Sequence, residues 1–96
     1  YIFLTITISS QVLKADDLFN KGKKIFLEKG NCAACHMLQD ANSYGNIGPN
    51  LDEIKPDIMR IISAVTNGIG VMPAYEGELS IEEIKAVATY VAQSTN

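Results

Sequence analysis

The chain has only two cysteines and one histidine in 96 residues. A structural zinc site takes four ligands, usually from two separated pairs, and the second pair is missing. Positive charge is also scarce: eight lysines and arginines face eleven aspartates and glutamates, for a net charge of −3. Non-specific nucleic-acid binding needs a basic face, which this balance does not supply. Beyond residue 15 no segment of useful length alternates apolar and polar with period two, so no βαβ pattern is visible. That removes the strand-then-helix setting of a thioredoxin-like dithiol. There is no tryptophan, no internal repeat and no low-complexity tract. A chain this short forms one small domain with a limited core, and such domains often lean on a disulfide, a metal or a cofactor.

What is present is the run Cys32-Ala33-Ala34-Cys35-His36. Two thiols three positions apart, followed at once by an imidazole, read as a c-type haem attachment site. Each thiol adds to one vinyl group, and the short step lets one turn of chain reach both. His36 then sits under the iron as an axial ligand. A plain disulfide across two intervening residues would be strained and redox-labile. The expected cofactor is one covalent haem c, with its iron, per chain.

Residues 1 to 15 open on the apolar run Tyr-Ile-Phe-Leu-Thr-Ile-Thr-Ile. The run is too short to span a bilayer and matches the apolar part of a secretory signal, with Ala15 before the cut. Its β-branched residues also suit a strand, and an uncleaved anchor is the third reading. The expected organisation is therefore a signal remnant over 1–15 and one domain over 16–96. Cleavage would remove Lys14 and leave a net charge of −4. Export fits the motif, since haem c is attached outside the cytoplasm.

The rest reads as all-α: three main helices with long loops wrapped around the haem. Asp16 or Asp17 can cap a first helix running to about Lys29, with Gly30 ending it. Gly22 and Phe26 share one face. Glycine inside a helix costs about 1 kcal/mol relative to alanine, which a close helix approach would explain. Lys21, Lys23, Lys24 and Lys29 read as a solvated face. From Met37 to Leu51 turn residues dominate, so this stretch reads as a loop around one haem edge. Pro49, with its fixed φ and no donor, suits packing on a flat ring. Pro56 stands near the first turn of a second helix, whose stripe is Ile58, Ile61, Ile62 and Val65. A second glycine-rich loop spans 68–77. Ser80 and Glu83 form a capping box for the last helix, whose stripe is Ile84, Val87, Ala88 and Val91.

An iron held by His36 keeps one axial position, and no second histidine exists to fill it. Met37 is too close to His36 to reach the opposite face. Met59 lies on a helix, where packing is the ordinary role of methionine. Met72 lies in the glycine-rich loop ahead of Pro73, which can present its thioether to the iron and would raise the potential.

In this order the motifs resemble a class I cytochrome c over nearly all of residues 16 to 96. The matching pieces are Gly22 with Phe26, Cys32-Ala33-Ala34-Cys35-His36, Gly48-Pro49-Asn50-Leu51, Met72-Pro73-Ala74-Tyr75 and the helix of Tyr90. They are most similar to small soluble bacterial cytochromes and to the algal ones that replace plastocyanin. The resemblance implies that the first and last helices cross at Gly22, Phe26 and Tyr90. It also implies that the Pro49 carbonyl accepts the second ring N–H of His36. The function expected is that of a soluble, monomeric one-electron carrier, exported to a bacterial periplasm or, alternatively, a thylakoid lumen. It would not be an enzyme: it would bind no small-molecule substrate and no nucleic acid, and its partners would be membrane or periplasmic redox proteins. Two other readings stay open. One is a haem subunit or domain docked on a dehydrogenase or oxidase complex. The other is an enzyme or gas sensor, which would need an open iron position.

Overall fold

The computed structural model describes residues 15–96. The signal reading falls on residues 1 to 14, outside the described residues, and on Ala15, which opens the first helix. Four helices follow in order: α1 (Ala15–Leu27), α2 (Leu51–Ile54), α3 (Ile58–Asn67) and α4 (Ile81–Ser94). Two-residue strands β1 (Met37–Leu38) and β2 (Ser43–Tyr44) lie between α1 and α2. The three long helices are the three expected ones, and the class is all-α.

In α1, Asp16 and Asp17 occupy the first turn rather than the cap, and Lys24 the last. Both placements favour the helix dipole. The helix stops two residues earlier than expected. Its last buried residues are Ile25 and Phe26, after which Leu27, Glu28 and Lys29 are exposed. A 2.7 Å bond from the Gly30 N–H to the Ile25 carbonyl closes the end.

Helix α4 is the spine of the core. Its N-terminus carries the expected capping box: the Glu83 N–H donates to Ser80 Oγ at 3.1 Å, and the Ser80 N–H to Glu83 Oε1 at 2.9 Å. Its buried face, Ile84, Ala86, Val87, Ala88, Tyr90 and Val91, is wider than one stripe. The reason is that α1 packs on one side of it and α3 on the other. Tyr90 meets Phe19 and Phe26 edge-on, with ring centroids 4.9 and 5.7 Å away. Its hydroxyl donates to Asp40 at 2.7 Å, and Lys23 pairs with the same carboxylate at 3.4 Å. Burial, then the Asp40 contact, pushes the Tyr90 hydroxyl far above its ordinary value, so it stays a donor.

Two of the four lysines in the expected solvated face are also paired while staying open to solvent: Lys23 with Asp40, and Lys29, just past α1, with Glu83 at 2.9 Å. Pro56 differs from expectation. It precedes the cap of α3, which is Asp57, whose Oδ1 accepts from the Arg60 N–H at 2.9 Å.

The stretch from Met37 to Leu51 is folded, not open loop. Strands β1 and β2 pair antiparallel, with Met37 opposite Tyr44 and Leu38 opposite Ser43. Asn50 Oδ1 then caps α2, accepting from the Asp52 and Glu53 N–H groups at 2.9 and 3.3 Å. Asp52 in turn accepts from the Gln39 N–H at 2.8 Å, tying α2 to the hairpin. Two-residue strands and a one-turn helix are too short for a hydrophobic period to show them.

Candidate functional site

Asn31, in the left-handed region at φ 51°, turns the chain from the end of α1 into a short 3₁₀ turn over Cys32–Ala34. The Cys35 and His36 N–H groups both donate to the Cys32 carbonyl, at 3.1 and 3.0 Å. This winding brings Cys32, Cys35 and His36 onto the wall of one cleft of about 320 Å³.

His36 is held from two sides. The Ser43 hydroxyl donates to its carbonyl at 3.0 Å. Its ring Nδ1 lies 2.8 Å from the Pro49 carbonyl. A carbonyl only accepts, so Nδ1 carries the proton and Nε2 keeps its lone pair. Glycine is required beneath this arrangement. A Cβ at Gly48 would lie 2.6 Å from His36 Cε1 and 2.8 Å from Nδ1. One at Gly45 would lie 2.6 Å from the Cys35 carbonyl carbon. The Gly48 N–H donates to the Cys35 carbonyl at 2.8 Å, so segment 45–49 runs directly against the motif. Gly45 escaped the sequence reading because a glycine in a turn-rich stretch has an ordinary explanation there.

Met72 lines the same cleft. It closes a tight turn with Ile69, the two exchanging backbone bonds of 2.9 and 3.1 Å. Gly68, at φ 75°, lies under the turn, where a Cβ would be 2.7 Å from the Met72 carbonyl. The Tyr75 N–H donates to the Val65 carbonyl at 2.8 Å, pinning the loop to the end of α3. Met59 is 68 % exposed and does not line the cleft. Met37 does not line it either, and its sulfur accepts from Asn50 Nδ2 at 3.2 Å. Of the three thioethers, Met72 alone faces the cleft with His36.

The cleft interior is apolar, with Phe26, Leu51, Ile61, Val65, Val87 and Val91 in its wall. Arg60 is the one lysine, arginine, aspartate or glutamate among its lining residues. At the rim, Ile47, Ile54, Ile69 and Val71 are exposed, Val71 by 87 %. Exposed apolar side chains gathered around a concave apolar site mark a binding surface. Ile47, Ile54 and Arg60 were not foreseen from sequence, since none carries a local signal. Burial pushes the Cys32 thiol up to about 11, with the neighbouring Cys35 adding to the shift. It is therefore a protonated thiol near neutral pH. Among the described residues no cluster of three or more His, Cys, Asp and Glu could hold a metal ion by itself. One imidazole, one thioether and two thiols around an apolar slot suit a flat apolar group that carries its own metal.

Comparison with known proteins agrees with this geometry. Residues 17–91 match the family model described as cytochrome c oxidase, cbb3-type, subunit III. The chain is 37% identical over 83 residues to cytochrome c6 of Microcystis aeruginosa, covering 73% of this chain and 89% of that protein. It is 49% identical over 78 residues to the cbb3-type cytochrome c oxidase subunit FixP of Bradyrhizobium sp. (strain ORS 278). That match covers 73% of this chain and spans 25% of the FixP protein. The crystal structure of the c-type cytochrome SorU from Sinorhizobium meliloti superimposes with a TM-score of 0.79 at 54% identity, covering 83% of this chain and 93% of that one.

Proposed function

Because the chain belongs to the class I c-type cytochromes, and so is an electron carrier with covalently bound haem c, we propose that it is a soluble carrier whose iron is closed on both faces by His36 and Met72. The observation that carries this reading is the convergence of Cys32, Cys35, His36 and Met72 on one apolar cleft. In it, Cys32 and Cys35 would hold the cofactor through thioether bonds. His36 would offer Nε2 to the iron while the Pro49 carbonyl fixes its ring, and Met72 would offer its sulfur. The bound haem supplies a one-electron ferric–ferrous couple. The apolar wall keeps water away, which favours the less charged, reduced state, and the thioether does the same. With both faces closed, no substrate reaches the metal and the protein carries electrons without being an enzyme. We place it in a bacterial periplasm, with residues 1 to 15 as the remains of its export signal.

The test is the holoprotein purified from its host. It should titrate as a single reversible one-electron couple, and its ferrous form should not bind carbon monoxide. Rapid carbon monoxide binding by the resting ferrous protein would replace the carrier by a gas-binding or catalytic reading. A second reading rests on the matches to an oxidase subunit model and to FixP. In it, this domain works while docked on a larger oxidase or dehydrogenase assembly. Gel filtration of the native extract separates the two: a free carrier elutes as a small monomer, a docked domain with the large complex.

Partner docking is expected at the apolar rim around Val71, where contact can be dry and brief. The acidic surplus should steer the protein toward basic partner sites. Within the lysine cluster at 21–29, Lys23 and Lys29 are paired, which leaves Lys21 and Lys24 exposed to compete. Rising ionic strength should slow electron transfer with cationic small redox reagents and speed it with anionic ones. The reverse pattern would move docking to the face of Lys21 and Lys24.

A further inference from the structure

One side chain of the cleft performs a task that the ligand set does not account for. Tyr75 lies three residues beyond Met72, and its ring lines the cleft. Its hydroxyl donates to the Gly30 carbonyl at 2.6 Å, across 45 positions of sequence. Gly30 stands two residues before Cys32, at the buried junction between α1 and the attachment turn. Its backbone has little room to move: a Cβ there would lie 3.0 Å from the Ile25 carbonyl and 3.1 Å from Cys32 Sγ. At its other end Tyr75 is tied by its N–H to the Val65 carbonyl at 2.8 Å. The Met72 turn is otherwise secured chiefly by bonds to itself and to the end of α3. The rim residues beside it, Ile69 and Val71, are exposed.

We propose that Tyr75 is a positioning residue: the bond from its hydroxyl to the Gly30 carbonyl latches the Met72 loop to the Cys32 segment and so keeps the Met72 sulfur on the iron. The proposal rests on the reading of Met72 as an axial ligand. The latch spans the cleft from the loop bearing one ligand to the turn bearing the other. A hydrogen bond across such an opening acts only in the closed state, so its loss raises the open population without removing a ligand.

The experiment compares the Tyr75→Phe holoprotein with the unaltered holoprotein. The ring stays, so packing in the cleft is kept. A single net hydrogen bond corresponds to roughly a five- to tenfold change in an equilibrium. The rate at which carbon monoxide captures the ferrous iron should rise by about that factor, because capture needs the sulfur to leave. The pH at which the ferric protein loses its thioether-to-iron absorption band should fall. Tyr44→Phe is the control. Tyr44 is exposed, and its hydroxyl bonds only locally to Asn42 at 2.9 Å, so neither quantity should move. If Tyr75→Phe leaves both quantities unchanged while the unaltered protein shows the thioether band, the latch is refuted and ligation by Met72 stands. If the unaltered protein has no thioether band, the reading of Met72 fails first, and the latch with it.

Discussion

Replacing Met72 by alanine should open the iron to carbon monoxide and lower the reduction potential, while the protein stays folded and red. The expectation follows from the placement of the three methionines. Met72 is half-buried on the cleft wall; Met59 is 68 % exposed outside it; the Met37 sulfur is engaged by Asn50. With the haem attached at Cys32 and Cys35 as proposed, losing an axial ligand should not release it. A thioether stabilises ferrous iron, and axial ligands shift haem potentials within a range of about 0.8 V. The fall on removing Met72 should be on the order of a few tenths of a volt. Folding should survive, because the Met72 turn is held by backbone bonds to Ile69 and by Tyr75, not by the thioether. Met59→Leu should change neither the potential nor carbon monoxide binding. If Met59→Leu abolishes the thioether-to-iron band and Met72→Ala does not, the sulfur has been misassigned.

The contrast between these methionines shows what sequence can carry. Met72 stood out because glycines at 68 and 70 and a following proline make a loop able to bring a side chain to a metal. The attachment motif and the capping box of Ser80 and Glu83 were legible for a related reason: each is a short pattern whose chemistry works at one spacing only. The hydrogen bond between His36 and Pro49 was expected only through family resemblance, since nothing local in thirteen positions of sequence links the two. The contribution of Tyr75 was invisible, because a tyrosine in a loop gives no hint of which distant carbonyl its hydroxyl will meet. Arg60 and the rim isoleucines were missed for the same reason: they share a wall only after α2 and α3 have packed. The hairpin and α2 were missed through length, as two to four residues are too few for periodicity. Function was thus readable where chemistry is packed into neighbouring residues, and hidden where the fold assembles it from distant ones.

Gly22→Ala should destabilise the holoprotein, and Gly22→Leu should do so more strongly, against the direction of helix propensity. Alanine in place of glycine within α1 favours the helix by about 1 kcal/mol. At this position, however, the new Cβ would press against the Ala86 carbonyl oxygen and come within 2.6 Å of Tyr90 Cβ. Both belong to α4, and a carbonyl oxygen within a helix cannot swing aside as a flexible side-chain end can. The two helices must separate. Separation loosens Tyr90, which is fully buried and joins Phe19, Phe26 and Asp40 to one another. Overpacking of this kind typically costs about 1–3 kcal/mol, and leucine adds volume where alanine already overlaps. In a domain of this size each kcal/mol moves the melting temperature by roughly 4–8 °C. Gly22→Leu should therefore melt roughly 4–24 °C lower. The site should feel the change as well. Helix α4 contributes Val87 and Val91 to the cleft wall, and α1 leads directly into Gly30 and Cys32. A wider crossing admits water to the cleft, and the potential should fall along with the melting temperature. Thermal unfolding and redox titration of the two variants test both statements. If Gly22→Ala melts at or above the temperature of the unaltered protein, propensity has won and the helices do not meet at Gly22.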